Sequence, residues 1–162
     1  MPAKSKRELL REIIRILARQ FDAPGFEPHL TLLATPQDRR SPKAILQQIE
    51  ASPIRLRVRG TASSSRFTKT LFVRFESSKS LEKLIIDLGR AVKTCRKKVR
   101  DPHVSLLYKK LPTRVKKELA LTIKFPFREV RFDSIQAVRS VLPIRDRCDV
   151  EAWEVVATKF LR

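Results

Sequence analysis

Residues 27–33 read Glu-Pro-His-Leu-Thr-Leu-Leu, and residues 101–107 read Asp-Pro-His-Val-Ser-Leu-Leu. Position by position the two heptads match by class: acid, proline, histidine, aliphatic, hydroxyl, leucine, leucine. They also use the only two histidines of the chain. A repeat of this kind constrains the fold more than any other feature. It implies two similar halves, each presenting the same short extended unit, related by an approximate two-fold axis.

Strand alternation says what each unit offers. Side chains on a strand point to opposite faces in turn, so His29 and Thr31 share one face, and so do His103 and Ser105. Leu30 and Leu32, like Val104 and Leu106, then point into a core. Proline has no amide hydrogen and suits the first residue of a strand. It also biases the preceding Glu27 and Asp101 towards extended backbone, where solvated strand-entry acids are expected. Each half thus carries an imidazole beside a hydroxyl, and pairing the halves sets two such pairs across one groove.

The surrounding pattern supports two halves. Leu10, Ile13, Ile14, Leu17 and Phe21 recur at helical spacing, predicting a first helix over 5–19. Pro24 and Gly25 mark a turn, and 26–35 reads as a strand. Ser41 and Pro42 open a short helix to about 51, with the serine as cap. Residues 54–59 alternate Ile-Arg-Leu-Arg-Val-Arg, placing Ile54, Leu56 and Val58 inward and Arg55, Arg57 and Arg59 outward. A loop over 60–65 and a strand over 67–75 follow. A helix over 80–98, a strand over 102–108, a helix over 112–123, and strands over 128–141 and 151–161 complete the order. The expected class is α+β: bilobal and pseudo-two-fold, with antiparallel sheets lining a groove and helices outside. At 162 residues the chain is expected to be a single domain, 1–162, made of two lobes.

Composition removes several alternatives. Cys95 and Cys148 are far apart and form no Cys-x-x-Cys pair, so a disulfide framework and the common zinc spacings are excluded; both are expected to be semi-buried. With three glycines there is no Gly-x-Gly-x-x-Gly and no Walker A loop. No apolar stretch approaches a membrane span. The first helix is basic and amphipathic, but Glu8 and Glu12 argue against an organelle presequence, and the expected compartment is the cytoplasm. Lysine and arginine total 36 against 17 acids, a formal charge of +19, which attracts polyanions. Basic residues are spread over the whole chain, so an anionic ligand fits better than membrane binding. Trp153 falls in a predicted strand and reads as a core residue.

Two imidazoles across a groove suit general acid–base chemistry, because a histidine titrates near neutral pH. One can deprotonate a water while the other protonates a departing oxygen. Thr31 and Ser105 can hydrogen-bond phosphoryl oxygens, and nearby positive charge can stabilise a developing dianion. No metal or other cofactor is called for.

The paired units resemble the His-x-Thr/Ser signatures of the two-histidine phosphoesterase superfamily, which includes LigT-like proteins acting on 2′–5′ RNA linkages and the cyclic nucleotide phosphodiesterases. The wording is most similar to the second branch: FEPHLTL after a helix, FTKTLFVRF, PHVSLLY with its terminal tyrosine, and VEAWEVVATKFL near the end. The resemblance spans about residues 8–161. It implies that His29 and His103 are the acid–base pair, that Thr31 and Ser105 hold the phosphate, and that Tyr108 lies beside it. It implies a metal-free opening of a cyclic phosphate on a nucleotide, an RNA end or ADP-ribose. Members usually begin with a strand carrying an aromatic residue that helps hold the base; here the sequence opens almost directly on the first helix, so either that strand is absent or the start is shortened.

Two further readings stand beside this one. An RNA 2′–5′ ligase-like or RNA end-trimming activity belongs to the same superfamily. A non-catalytic RNA-binding module would use Arg55, Arg57, Arg59 and the run Arg96, Lys97, Lys98 and Arg100. The chain is taken as a monomer.

Overall fold

The computed structural model describes residues 1–35, 41–94 and 101–162. Cys95 and the run Arg96, Lys97, Lys98 and Arg100 lie outside the described residues.

The first helix, α1 (Lys4–Gln20), buries Leu10, Ile14 and Leu17, the stripe its spacing predicts. A short α2 (Pro42–Gln47) follows; Ser41 sits at its cap but makes no side-chain capping bond, and Pro42 alone sets the start. The strands β1 (Ile54–Ser63) and β2 (Leu71–Phe75) form a hairpin around a single 3-10 turn, Phe67–Lys69. Then come α3 (Lys79–Ala91), capped by the Ser78 hydroxyl, and β3 (His103–Leu107). The chain ends with α4 (Thr113–Thr122), β4 (Glu129–Phe132), β5 (Ser134–Arg139), a one-turn α5 (Arg147–Glu151) and β6 (Glu154–Phe160). Hydrophobic spacing predicts no helix at α5. Five residues are too few for a helical period, and the Asp146 side chain, which accepts from the Asp149 amide, is what starts it.

The architecture is α+β with antiparallel sheets, as expected, but the sheets are unequal. One has four strands in the order β3-β2-β1-β4, and the other is the hairpin β5-β6. Residues 26–35 do not form a regular strand. Pro28 supplies no amide, and a single antiparallel bridge, Leu30 to Val104, ties the segment to β3. At the opposite edge the chain start adds a stub: Pro2 bridges Phe132 and the Ala3 amide donates to the Arg131 carbonyl at 2.7 Å.

Two bulges decide which side chains face where. Val58 pairs with Phe75 but Gly60 with Arg74, so β1 carries one extra residue at Arg59. The strand therefore continues through the expected loop, and its inward side changes from Ile54, Leu56 and Val58 to Thr61 and Ser63. Gly60 takes φ +132°, which a side chain would strain. In β3, Ser105 pairs with Phe72 but Leu107 pairs with Leu71, so Leu106 is the extra residue. One face of the sheet packs Ile54, Leu56, Leu71, Val73, Phe75, Val104, Val130 and Phe132 against Leu10, Ile14, Leu17, Leu81, Leu84 and Ile85. By register, the other face carries His103 and Ser105 on β3, Phe72 and Arg74 on β2, Arg55 and Arg57 on β1, and Arg131 on β4.

Candidate active site

The bridge between Leu30 and Val104 joins equivalent positions of the two heptads, so the pseudo-two-fold axis passes through that pair. Antiparallel pairing about this point sets His29 beside Ser105 and Thr31 beside His103. Farther along the same two segments, Phe26 stacks on Tyr108 with ring centroids 4.0 Å apart and planes 15° apart. Diagonal neighbours across such a pair lie about 7–8 Å apart. The register thus puts His29 and His103 in diagonal positions across the bridge.

Both rings are held in the same way. The Nδ1–H of His29 donates to the Glu27 carbonyl at 2.7 Å, and the Nδ1–H of His103 donates to the Asp101 carbonyl at 2.7 Å. Each carbonyl belongs to the residue before the proline, whose missing amide and extended bias keep that oxygen turned back towards the ring. With Nδ1 carrying the proton, Nε2 of each neutral ring presents a lone pair. Thus main-chain oxygens of Glu27 and Asp101 orient the imidazoles, and the carboxylates do something else. Glu27 takes a bidentate pair from Arg11 at 2.7 and 2.8 Å, in solvent. Asp101 takes Lys69 and, at 3.1 Å, the Arg74 Nε. Burial alone would raise the Asp101 carboxyl, but these two cations hold it below its ordinary value.

Burial pushes the proton affinity of both histidines down. For His29 the Glu27 carbonyl opposes this, while the chain's first amino group and His103 add to it. For His103 the Asp101 carbonyl opposes it and Lys69 adds to it.

The other expected residues fall as follows. Thr31 is exposed, beside the axis. Ser105 is buried, and its hydroxyl donates to the Thr68 carbonyl at 2.9 Å, so it must rotate before it can donate to a phosphoryl oxygen. Tyr108 is buried beside the Ser105 hydroxyl, and burial pushes its phenol up. Strict alternation from His103 would turn Tyr108 inward; the bulge at Leu106 returns it to the site's face. Trp153 is not simply a core residue. It lies just before β6, partly exposed, with its ring 5.4 Å from His29, 6.1 Å from Tyr108 and 6.4 Å from Phe26. Its indole N–H is buried with no hydrogen-bond partner. Cys148 is exposed rather than semi-buried.

Phe26, Lys69, Phe72 and Arg74 are neighbours of the site to which the sequence assigns no role, although they fall in the stretches FEPHLTL and FTKTLFVRF that carry the resemblance. Lys69 lies over the Phe72 ring at 4.3 Å, and that ring meets His103 edge-on at 5.3 Å. Among the described residues no three His, Cys, Asp or Glu side chains gather into a metal-sized group, and no helix is long and apolar enough to cross a membrane.

Comparison with known proteins agrees with this architecture. The crystal structure of TT0787 of Thermus thermophilus superposes with a TM-score of 0.56 over 96% of this chain and 92% of that one, at 21% sequence identity. A search of curated proteins returns no match. The family model for the 2′-5′ RNA ligase superfamily matches residues 7–141, a span that includes both heptads. With that match over most of its length, the chain belongs to the 2′-5′ RNA ligase superfamily.

Proposed function

We propose that this protein is a metal-independent cyclic phosphodiesterase that opens a 2′,3′-cyclic phosphate, or the related cyclic phosphate of ADP-ribose, to a phosphomonoester. The observation that carries the reading is the matched pair of Nδ1-to-carbonyl bonds on segments joined at Leu30 and Val104. It leaves two Nε2 atoms free to work on one phosphorus.

In the reaction one imidazole acts as base. Its Nε2 takes a proton from water as the water oxygen bonds to phosphorus. The other enters protonated on both nitrogens and gives its Nε2 proton to the ribose oxygen as the phosphorus–oxygen bond breaks. The products are an alcohol and a phosphomonoester, with the proton now on the first imidazole; exchange with solvent restores the start. Both rings resist protonation in the free protein, so the anionic phosphate itself supplies the attraction that lets one of them hold the extra proton. Thr31 and Ser105 hydroxyls bind the non-bridging oxygens.

A second reading, an RNA 2′–5′ ligase-like or end-trimming enzyme, is favoured by the sheet face that carries His103, because Arg74, Arg55, Arg57 and Arg131 continue across it. One set of assays separates the two. Nucleoside and ADP-ribose cyclic phosphates and tRNA halves are incubated in EDTA with the wild type, His29→Ala and His103→Ala, and products are followed by phosphorus NMR. Mononucleotide turnover is expected to survive chelation and to drop about 10²–10⁴-fold in each variant. Turnover of RNA alone transfers the case to the second reading. Unimpaired turnover in either variant removes both.

A further inference from the structure

The two halves are alike in their histidines but differ in the ion pairs made by the acid that precedes each proline. In the first half, Glu27 and Arg11 cancel, at the surface. In the second, Asp101 holds both Lys69 and Arg74, which leaves a net charge of +1 beside His103. The two cations are not equivalent. Arg74 is 43% exposed, whereas Lys69 is 17% exposed and lies over the Phe72 ring. Phe72 pairs directly with Ser105 and touches His103, so the ammonium sits over the ring that floors the second half-site. The turn that carries Lys69 is fixed from several sides. The Thr70 hydroxyl donates to the Lys109 carbonyl at 2.7 Å, the Ser64 hydroxyl donates to the Lys69 carbonyl at 2.6 Å, and the Thr68 carbonyl accepts from Ser105. The backbone of the turn is thus fixed, while the ammonium itself is held by Asp101 and the Phe72 ring.

We propose that Lys69 is the charge partner of the bound phosphate, parked on the Asp101 carboxylate until an anion arrives. When a phosphate sits between the imidazoles, Nζ leaves Asp101 for a non-bridging oxygen. Arg74 stays on Asp101, so the carboxylate is never left unpaired. The inference rests on the reading that a phosphate occupies the space between His29 and His103. It assigns the electrostatic stabilisation of the developing dianion to a residue outside both heptads.

The test uses inorganic phosphate as ligand, so it stands apart from turnover. Because the chain has only two histidines, their imidazole signals in proton NMR report binding and titration directly. Lys69→Met is expected to weaken phosphate binding about tenfold or more, which corresponds to about 1.4 kcal/mol, and Lys69→Arg to restore most of it. His103 is expected to titrate higher in Lys69→Met while His29 stays put. Asp101→Asn supplies the decisive contrast. It frees Lys69, so phosphate is expected to bind more tightly than in wild type. If the lysine served only as a structural partner of Asp101, both substitutions would break the same ion pair and weaken binding alike, and that result overturns the proposal. So does wild-type affinity in Lys69→Met, or no phosphate binding by the wild type. If phosphate binding depends on Lys69 in this way but no cyclic phosphate is turned over, the enzymatic reading fails and the role of Lys69 stands.

Discussion

Val104 and Val130 are the same residue, both 0% exposed, on strands of one sheet and in one core. Only Val104 lies on the bridge between the two heptads. Valine to alanine removes two carbons, worth about 0.8 kcal/mol each in transfer. With the unrelaxed cavity the cost is about 2–3 kcal/mol at either site. For a chain of this length that lowers the melting temperature by roughly 5–10 °C. The matched stability loss serves as the control. Val104→Ala lets the Leu30 segment settle towards β3 and changes the separation of the imidazoles, whereas Val130→Ala leaves it alone. A shift of about 1 Å in reacting groups can cost about 10²-fold in rate. Urea unfolding should therefore give similar losses for the two variants, while kcat/KM on the best cyclic phosphate falls by one to two further decades in Val104→Ala only. Equal rate losses in the two would mean that the bridge does not set the distance between the rings, and the geometric account of the site would be wrong.

Other expectations follow from single observations. Both imidazoles resist protonation in the fold, so the unfolded chain binds more protons once pH falls below the ordinary histidine value of about 6.5; stability should be full above that pH and decline as pH drops through the depressed folded values, a decline that His29→Gln and His103→Gln should reduce in urea titrations at pH 5 and 7.5. Trp153→Phe removes an unpartnered buried N–H that costs about 1–3 kcal/mol, which offsets the smaller ring's reduced area; a variant within about 1 kcal/mol of wild type is expected, and a loss well above about 2 kcal/mol would show that the indole has a partner. Arg57→Gln with Arg131→Gln should lower the salt dependence of single-stranded RNA binding, by about 0.7 in log–log slope for each phosphate no longer neutralised; an unchanged slope in fluorescence anisotropy would dismiss that face as a nucleic-acid track.

The heptads were legible because everything they need is local. Alternation put His29 with Thr31 and His103 with Ser105, and proline shaped the carbonyl that each Nδ1 uses. The helix α1 and the core side of β1 as far as Val58 were equally plain, since a buried stripe repeats within a few residues. The role of Lys69 was not legible: FTKTLFVRF entered only as a stretch of resemblance, and the lysine's partner Asp101 lies 32 residues away. Trp153 read as core because an aromatic residue before an apolar run usually is. The side on which Tyr108 falls could not be read either. Bulges arise from how two strands meet, so the extra residue at Leu106 leaves no trace in the order of side chains. The residues 26–35 looked like a strand because their composition fits one, but a segment with a proline near its start and one bridging partner forms no ladder.

The extra residue at Arg59 has an outcome for how this chain can change. Upstream of it the even-numbered side chains go inward, and downstream the odd-numbered ones do. Deleting Arg59 itself would leave Val58 opposite Phe75 and Gly60 opposite Arg74, so every side chain would keep its face and the ladder would become regular. Losing a residue from a paired stretch on either side would instead turn part of the strand over, and guanidinium groups would enter hydrocarbon. Within this strand the extra residue is thus the place where the chain can shorten without moving a side chain from the face it serves.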